Sequence, residues 1–304
     1  MLLDIQRLEK DQLTCWQVRR GDDELLIAEQ GAQILSYRQG DAPPIIWLSE
    51  EAAFTKGQSV RGGVPICWPW FGDLSRNPDG VLGMYQDDQT APFHGLVRGL
   101  DWVLEQHRCE DDIAFLEFAC PPAQTGLPGW EHAVELKLQI RLDQRLHISL
   151  VSRNLGERPV SISQALHTYF AVSDIHQVAV DGLDGCPFID TLQDWAPGLQ
   201  QGDLQFSGET DRIYLGLPST LSLQDPAWNR RITLQTSGSR SAILWNPWIA
   251  KAQRLSQFAD DAWQRMLCIE TANVMDDHVR LEAGASHNLT VSIGSEPIQG
   301  VKNL

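Results

Sequence analysis

Apolar and polar residues alternate with a period of two over much of this chain. Val134, Leu136, Leu138 and Ile140 are separated by Glu135, Lys137 and Gln139; after Asp143-Gln144 the alternation resumes at Leu146, Ile148 and Leu150. A period of two sends successive side chains to opposite faces of a strand, so this stretch predicts a hairpin with one buried face. The turn-forming run Asn154-Leu155-Gly156-Glu157-Arg158-Pro159 follows, and Val160, Ile162, Gln164 and Leu166 continue the alternation. Further strands are predicted at 13–19, 24–29, 32–38, 102–108, 113–119, 212–217, 231–236, 241–245, 266–270 and 288–293. Helical spacing is scarce; 50–56 predicts one short helical turn. Many short strands between turn signals predict an all-β fold, a large antiparallel sandwich or barrel.

Two stretches interrupt the strand pattern. Residues 57–99 and 181–211 are rich in glycine and proline and read as long loops. Such loops inside a compact domain are functional or disordered, and Trp68, Trp70 and Phe71 argue against disorder in the first. No compositional break marks a linker and no repeat is present, so 1–304 is expected to be a single domain.

Charge narrows the partners. Lys and Arg total 24 against 40 Asp and Glu, a net charge of −16. Such a surface repels nucleic acid and anionic membranes, so neither is an expected partner. An anionic ligand would need a local basic site. Tryptophan, at 11 copies, offers sugar-stacking faces or simply core. No two of the six cysteines lie within four residues, which excludes C-x-x-C redox and zinc-ribbon patterns and predicts reduced, mostly buried thiols. The N-terminus carries charge from Asp4, and no apolar run approaches the roughly 20 residues of a membrane span. A cytoplasmic protein is expected.

Phosphate-cradling, dinucleotide-binding, H-E-x-x-H and nucleophile-elbow motifs are absent, and the histidines lack metal-ligand spacing; no cofactor or metal is expected. What remains are polar residues in apolar contexts. His167 shares an alternation face with the small residues Ser161, Ser163 and Ala165, leaving room for a ligand beside an imidazole that titrates in the useful range; a hydrogen-bonded structural histidine is the alternative. Glu270 ends the run Met266-Leu267-Cys268-Ile269. It is either a buried general base of raised pKa or the point where a strand emerges into solvent. Arg61 and Arg98 flank the glycine-rich loops and suit forked binding of one phosphate or carboxylate, or are ion-paired surface residues. Asp211 suits a sugar hydroxyl or a turn.

Arg61-Gly62-Gly63-Val64-Pro65 with Trp68-Pro69-Trp70-Phe71-Gly72, His94-Gly95-Leu96-Val97-Arg98, Leu166-His167-Thr168-Tyr169-Phe170, Asp211-Arg212-Ile213-Tyr214, Trp245-Asn246-Pro247-Trp248 and Cys268-Ile269-Glu270 occur in this order. Together they resemble the D-hexose-6-phosphate mutarotases (glucose-6-phosphate 1-epimerases) of the aldose 1-epimerase, galactose mutarotase-like group, over about residues 20 to 295. The resemblance implies a mutarotase-like supersandwich acting without cofactor on a small sugar phosphate, with His167 and Glu270 catalytic. It places Arg61 and Arg98 on the phosphate, and His94 and Asp211 against substrate. Phe93 departs from relatives that carry a polar ligand-contacting residue there. In the reaction implied, Glu270 takes the C1 hydroxyl proton and His167 protonates the ring oxygen. A mutarotase of neutral sugars and a non-catalytic carbohydrate-binding domain are the alternatives. A monomer is expected.

Overall fold

In the computed structural model, residues 3–87 and 90–298 are described; the ends of the predicted 1–304 unit, with Asp88 and Gln89, lie outside them. The predicted hairpin forms from Val134–Leu142 and Leu146–Asn154, which pair antiparallel with Leu138 opposite Leu150 and Ile140 opposite Ile148. Their apolar positions other than Val151 are buried and most polar ones are not, as period-two amphipathicity requires. The hairpin belongs to a nine-stranded sheet running Leu204–Gln205, Ala179–Asp181, Thr220–Asp225, Arg230–Ser237, Ser286–Pro297, Leu146–Asn154, Val134–Leu142, Ile113–Ala119, Val103–Glu110.

A second sheet of eight strands runs Ala196–Leu199, Pro187–Asp190, Thr210–Leu215, Ser241–Asn246, Met266–Asn273, Gln164–Leu166, Ile66–Cys67, with Tyr169–Ala171 also paired to Met266–Asn273. One apolar core joins the two sheets. The Trp68 indole N–H crosses between them to the Ser152 hydroxyl at 3.2 Å. Leu3–Lys10, Leu13–Arg20, Asp23–Ala28 and Ile34–Arg38 form a further four-stranded sheet. The antiparallel sandwich expected from periodicity is therefore the observed architecture.

Several expectations change. Residues 50–56 form no helix. The N–H groups of Glu51 and Ala52 turn back to Ser49, and that of Ala53 is taken by the Gln257 side chain, so no helical ladder starts. The apparent strand from Val160 to Phe170 is three strands, broken at Ser163, where pairing passes from Val279–Leu281 to Met266–Asn273, and at His167-Thr168, where the His167 N–H leaves that ladder for the Pro65 carbonyl. Leu3–Lys10 was not legible as a strand, and Val103–Glu110 only in part; both lie at sheet edges, where weak burial leaves weak alternation. Trp68, Trp70, Trp102 and Trp130 are fully buried, so the tryptophan excess is largely core. Five cysteines are buried, whereas Cys109, on that exposed edge strand, is not. No helix of the described residues is long and apolar enough to cross a membrane.

The 57–99 region is ordered by close backbone approaches. Gly95 has φ +80°, and a Cβ there would lie 2.1 Å from the Trp68 carbonyl oxygen, which accepts the Leu96 N–H at 2.8 Å. Gly63, at φ +71°, would meet the Ile34 oxygen at 2.1 Å. Gly63→Ala combines a left-handed conformation with a backbone clash, so it is expected to destabilise the fold by more than about 2 kcal/mol. Gly216→Ala carries a similar φ of +66° with nothing within 4 Å and is expected to cost about 1 kcal/mol. Urea denaturation of the two variants measures the difference; equal costs would contradict the close approach at Gly63.

Candidate active site

Met266–Asn273 runs through the middle of the eight-stranded sheet with all eight residues buried. Glu270 is therefore not where a strand emerges into water; it is 1% exposed. Leu166 pairs with Thr271 and Tyr169 with Cys268, so the break at His167-Thr168 falls opposite Ile269 and Glu270. The His167 N–H turns away to the Pro65 carbonyl at 3.0 Å, and the Thr168 carbonyl takes the Ile269 N–H at 3.2 Å. This local break brings His167 Nε2 to 3.4 Å from Glu270 Oε1. His167 Nδ1 and Glu270 Oε2 are buried and have no hydrogen-bond partner among the described residues. Orphaned buried polar atoms are costly, and in native proteins they mark sites completed by something else.

Burial drives both groups toward their neutral forms. The Glu270 carboxyl is raised well above its usual range by desolvation, with Asp211 adding and Arg98 opposing. The His167 imidazole is pushed down to about 3 by desolvation, with Arg98 and Arg61 adding. Burial therefore favours a proton on Glu270 beside a neutral imidazole over an ion pair.

His167 and Glu270 lie in a cavity of about 410 Å³ that Arg61, His94, Arg98 and Asp211 also line, so all six residues named from sequence converge there. Arg61 donates to the Ser256 carbonyl at 3.2 Å and to the Tyr169 hydroxyl at 3.4 Å. Arg98 donates to the Phe93 carbonyl at 2.8 Å. Phe93 thus serves through its backbone while its ring, 60% exposed, lines the cavity. His94 Nδ1 accepts the Gly72 N–H at 3.1 Å, so the neutral ring carries its proton on Nε2; burial, then His167 and the two arginines, holds its pKa well down. Asp211 lies in Thr210–Leu215 rather than in a turn, its carboxyl raised by burial and opposed by Lys251.

Among the lining residues that sequence reasoning did not assign to the site are Tyr169, Trp245, Lys251, Arg76 and Trp195. Tyr169 stacks on His167 with ring centroids 4.9 Å apart. Its place two residues after His167 was a usable signal, as was Trp245 in its quoted motif. Lys251, on the short helix Trp248–Ala252, and Arg76, on the 3-10 turn Leu74–Arg76, had none. Lys251 faces Glu209 at 3.6 Å and Asp211 at 4.0 Å. Arg61, Arg76 and Arg98 make no salt bridge to a carboxylate among the described residues. His167, Cys268 and Glu270 offer ligand-type atoms within 4.8 Å of one another. Burial, then Glu270, pushes the Cys268 thiol well up, which opposes the thiolate a metal requires.

The fold and this buried imidazole–carboxylate pair define a mutarotase-like sandwich. A galactose mutarotase-like protein from Clostridium acetobutylicum shares the fold with a TM-score of 0.70 at 14% identity, over 97% of this chain and 99% of that one. The crystal structure of a "putative mutarotase" from Salmonella typhimurium superposes with a TM-score of 0.85 at 28% identity, over 97% and 94%. The aldose 1-epimerase family model matches residues 15–294, and the chain belongs to that family. A protein of Escherichia coli (strain K12) named "Putative glucose-6-phosphate 1-epimerase" is 32% identical over 269 residues, covering 88% of this chain and 86% of its own. One of the same name from Cenchrus ciliaris is 31% identical over 277 residues, covering 88% and 80%.

The raised Glu270 pKa has a stability consequence of fixed sign. An unfolded glutamate titrates near 4.3, so burying its carboxylate costs stability as pH rises through the window from about 4.3 to the raised folded value. Glu270→Gln lacks that titration. Its melting temperature is expected to exceed that of the parent at pH 8, with the gain shrinking toward pH 4. Thermal melts across pH 4–8 check this; a pH-independent difference would show that Glu270 is not held neutral.

Proposed function

We propose that this protein interconverts the α and β anomers of hexose 6-phosphates, with glucose 6-phosphate the foremost substrate. One observation carries the reading: His167 Nδ1 and Glu270 Oε2, unpartnered among the described residues, lie in a cavity lined by arginines that have no carboxylate partner among those residues. Glu270 as carboxylate takes the proton of the C1 hydroxyl while protonated His167 gives one to the ring oxygen, and the C1–O5 bond breaks. The open aldehyde turns about C1–C2. On closure O5 attacks the other face of C1, its hydroxyl proton returns to His167, and Glu270 returns its proton to the C1 oxygen.

A raised carboxyl pKa makes Glu270 the stronger base, and a depressed imidazole pKa makes protonated His167 the stronger acid. The reactive form of the two groups is an ion pair, which Arg61 and Arg98 disfavour at His167. A phosphate dianion held by those arginines offsets their charge, so binding the substrate's remote end eases protonation of His167. His94 Nε2–H and the Asp211 carboxylate suit hydroxyls of the sugar.

Magnetisation-transfer NMR of anomer exchange tests the proposal. Acceleration of glucose 6-phosphate well above that of glucose and galactose is expected. His167→Ala and Glu270→Gln should each lower turnover by at least about 10²-fold. Full activity in either variant would refute the acid–base pair. Arg61→Ala and Arg98→Ala should each raise KM for glucose 6-phosphate by about 10- to 100-fold, the worth of a charge-assisted hydrogen bond. Equal acceleration of neutral sugars would leave the pair standing and remove the phosphate role.

A further inference from the structure

Arg76 and Trp195 come from distant parts of the chain and meet beside the cavity that both line, the guanidinium carbon 5.2 Å from the ring centroid. We propose that Arg76, backed by Trp195, is a third arginine on the substrate's phosphate and sets the preference for phosphorylated over neutral sugar. The inference rests on the anomer-interconversion reading and adds a specificity residue to it.

Three features support the assignment. First, Arg76 is unspent. It is exposed and makes no salt bridge to a carboxylate among the described residues, although the chain carries 40 acidic residues. Asp73, three residues before it, instead caps the turn by accepting the Ser75 N–H at 2.9 Å. Second, a guanidinium set over an aromatic ring spends none of its N–H donors on a carboxylate and keeps them for a phosphate. Lys251, the other cation of the cavity, is already opposed by Glu209 and Asp211.

Third, both partners are held in place. The Arg76 N–H donates to the Asp73 carbonyl at 3.0 Å, and the Asn77 amide ties the turn to the Phe71 and Asp73 carbonyls at 2.9 Å each. Trp195 has φ +60° and follows Asp194 at φ +51°. A bulky side chain adopts the left-handed region only where its surroundings impose it, and such outliers gather at ligand sites. The loop is closed by Ala196 N–H to the Gln193 carbonyl at 2.9 Å and by Leu192 N–H to the Asp190 carboxylate at 3.1 Å. These bonds hold the backbone that carries the ring, and the ring itself is partly buried against the apolar core.

Steady-state kinetics of Arg76→Met separates this role from a structural one. KM for glucose 6-phosphate is expected to rise about ten-fold with kcat falling less than about two-fold, the low end for a charged contact because Arg76 meets solvent. The ratio of kcat/KM for glucose 6-phosphate over glucose should fall by the same factor. Competitive inhibition by inorganic phosphate should weaken equally, and Arg76→Lys should recover part of each loss. Trp195→Leu should shift the same quantities in the same direction. An unchanged KM and phosphate inhibition in Arg76→Met, with Arg61→Ala still impaired, would overturn this inference and spare the reading beneath it. A parallel loss of kcat on glucose and glucose 6-phosphate would also overturn it, marking a structural residue. Absence of any phosphate preference in the parent enzyme would remove both.

Discussion

A carboxyl and an imidazole face each other inside a β-sheet, 3.4 Å apart and largely shielded from water. Much of the surrounding design follows from keeping that pair dry and aligned. Glu270 needs a strand covered on both faces, and Met266–Asn273 supplies one with no exposed residue. His167 needs to leave the ladder without leaving the sheet, and the two-residue break between Leu166 and Tyr169 achieves this. Tyr169 then stacks on the imidazole and takes a hydrogen bond from Arg61, so one side chain both orients the histidine and anchors a cation. The glycine-rich loop closes the remaining side through approaches that tolerate no Cβ at Gly63 and Gly95.

Desolvation outweighs every individual charge in the pair: it is the largest influence on both Glu270 and His167, and it acts toward neutrality in each. The same burial that costs stability when the carboxylate ionises makes that carboxylate a stronger proton acceptor. Stability and basicity at Glu270 are therefore opposed by one physical cause.

Legibility followed burial. The hairpin 134–154 was readable because one face is core and the other is not, which writes a period of two into the sequence. Glu270 was readable as a candidate but not as buried, because a strand covered on both faces and a strand that ends in water look alike over five residues. His167 was placed on a continuous strand; the break that positions it depends on pairing with Cys67, Asn273 and Cys268, which no local pattern records. Six site residues were carried by ordered motifs and do line one cavity. Arg76, Trp195 and Lys251 were invisible because each sits on a short turn or helix whose sequence has no periodicity, and only the tertiary fold brings them to the cavity.

The electrostatics divide by distance. A net charge of −16 repels a phosphorylated sugar at long range, yet physiological salt screens exposed charges beyond about 8 Å. Inside the cavity the balance reverses, because Lys251 is matched by Glu209 and Asp211 whereas three arginines have no carboxylate partner among the described residues. The imidazole–carboxylate pair belongs to the sheet and the break within it; the unmatched cations come mainly from loops and turns. Substitution on those loops can alter which anion is held without disturbing the strand pairing that aligns His167 with Glu270. On such a scaffold, ligand preference is free to change while the geometry of the His167–Glu270 pair stays fixed.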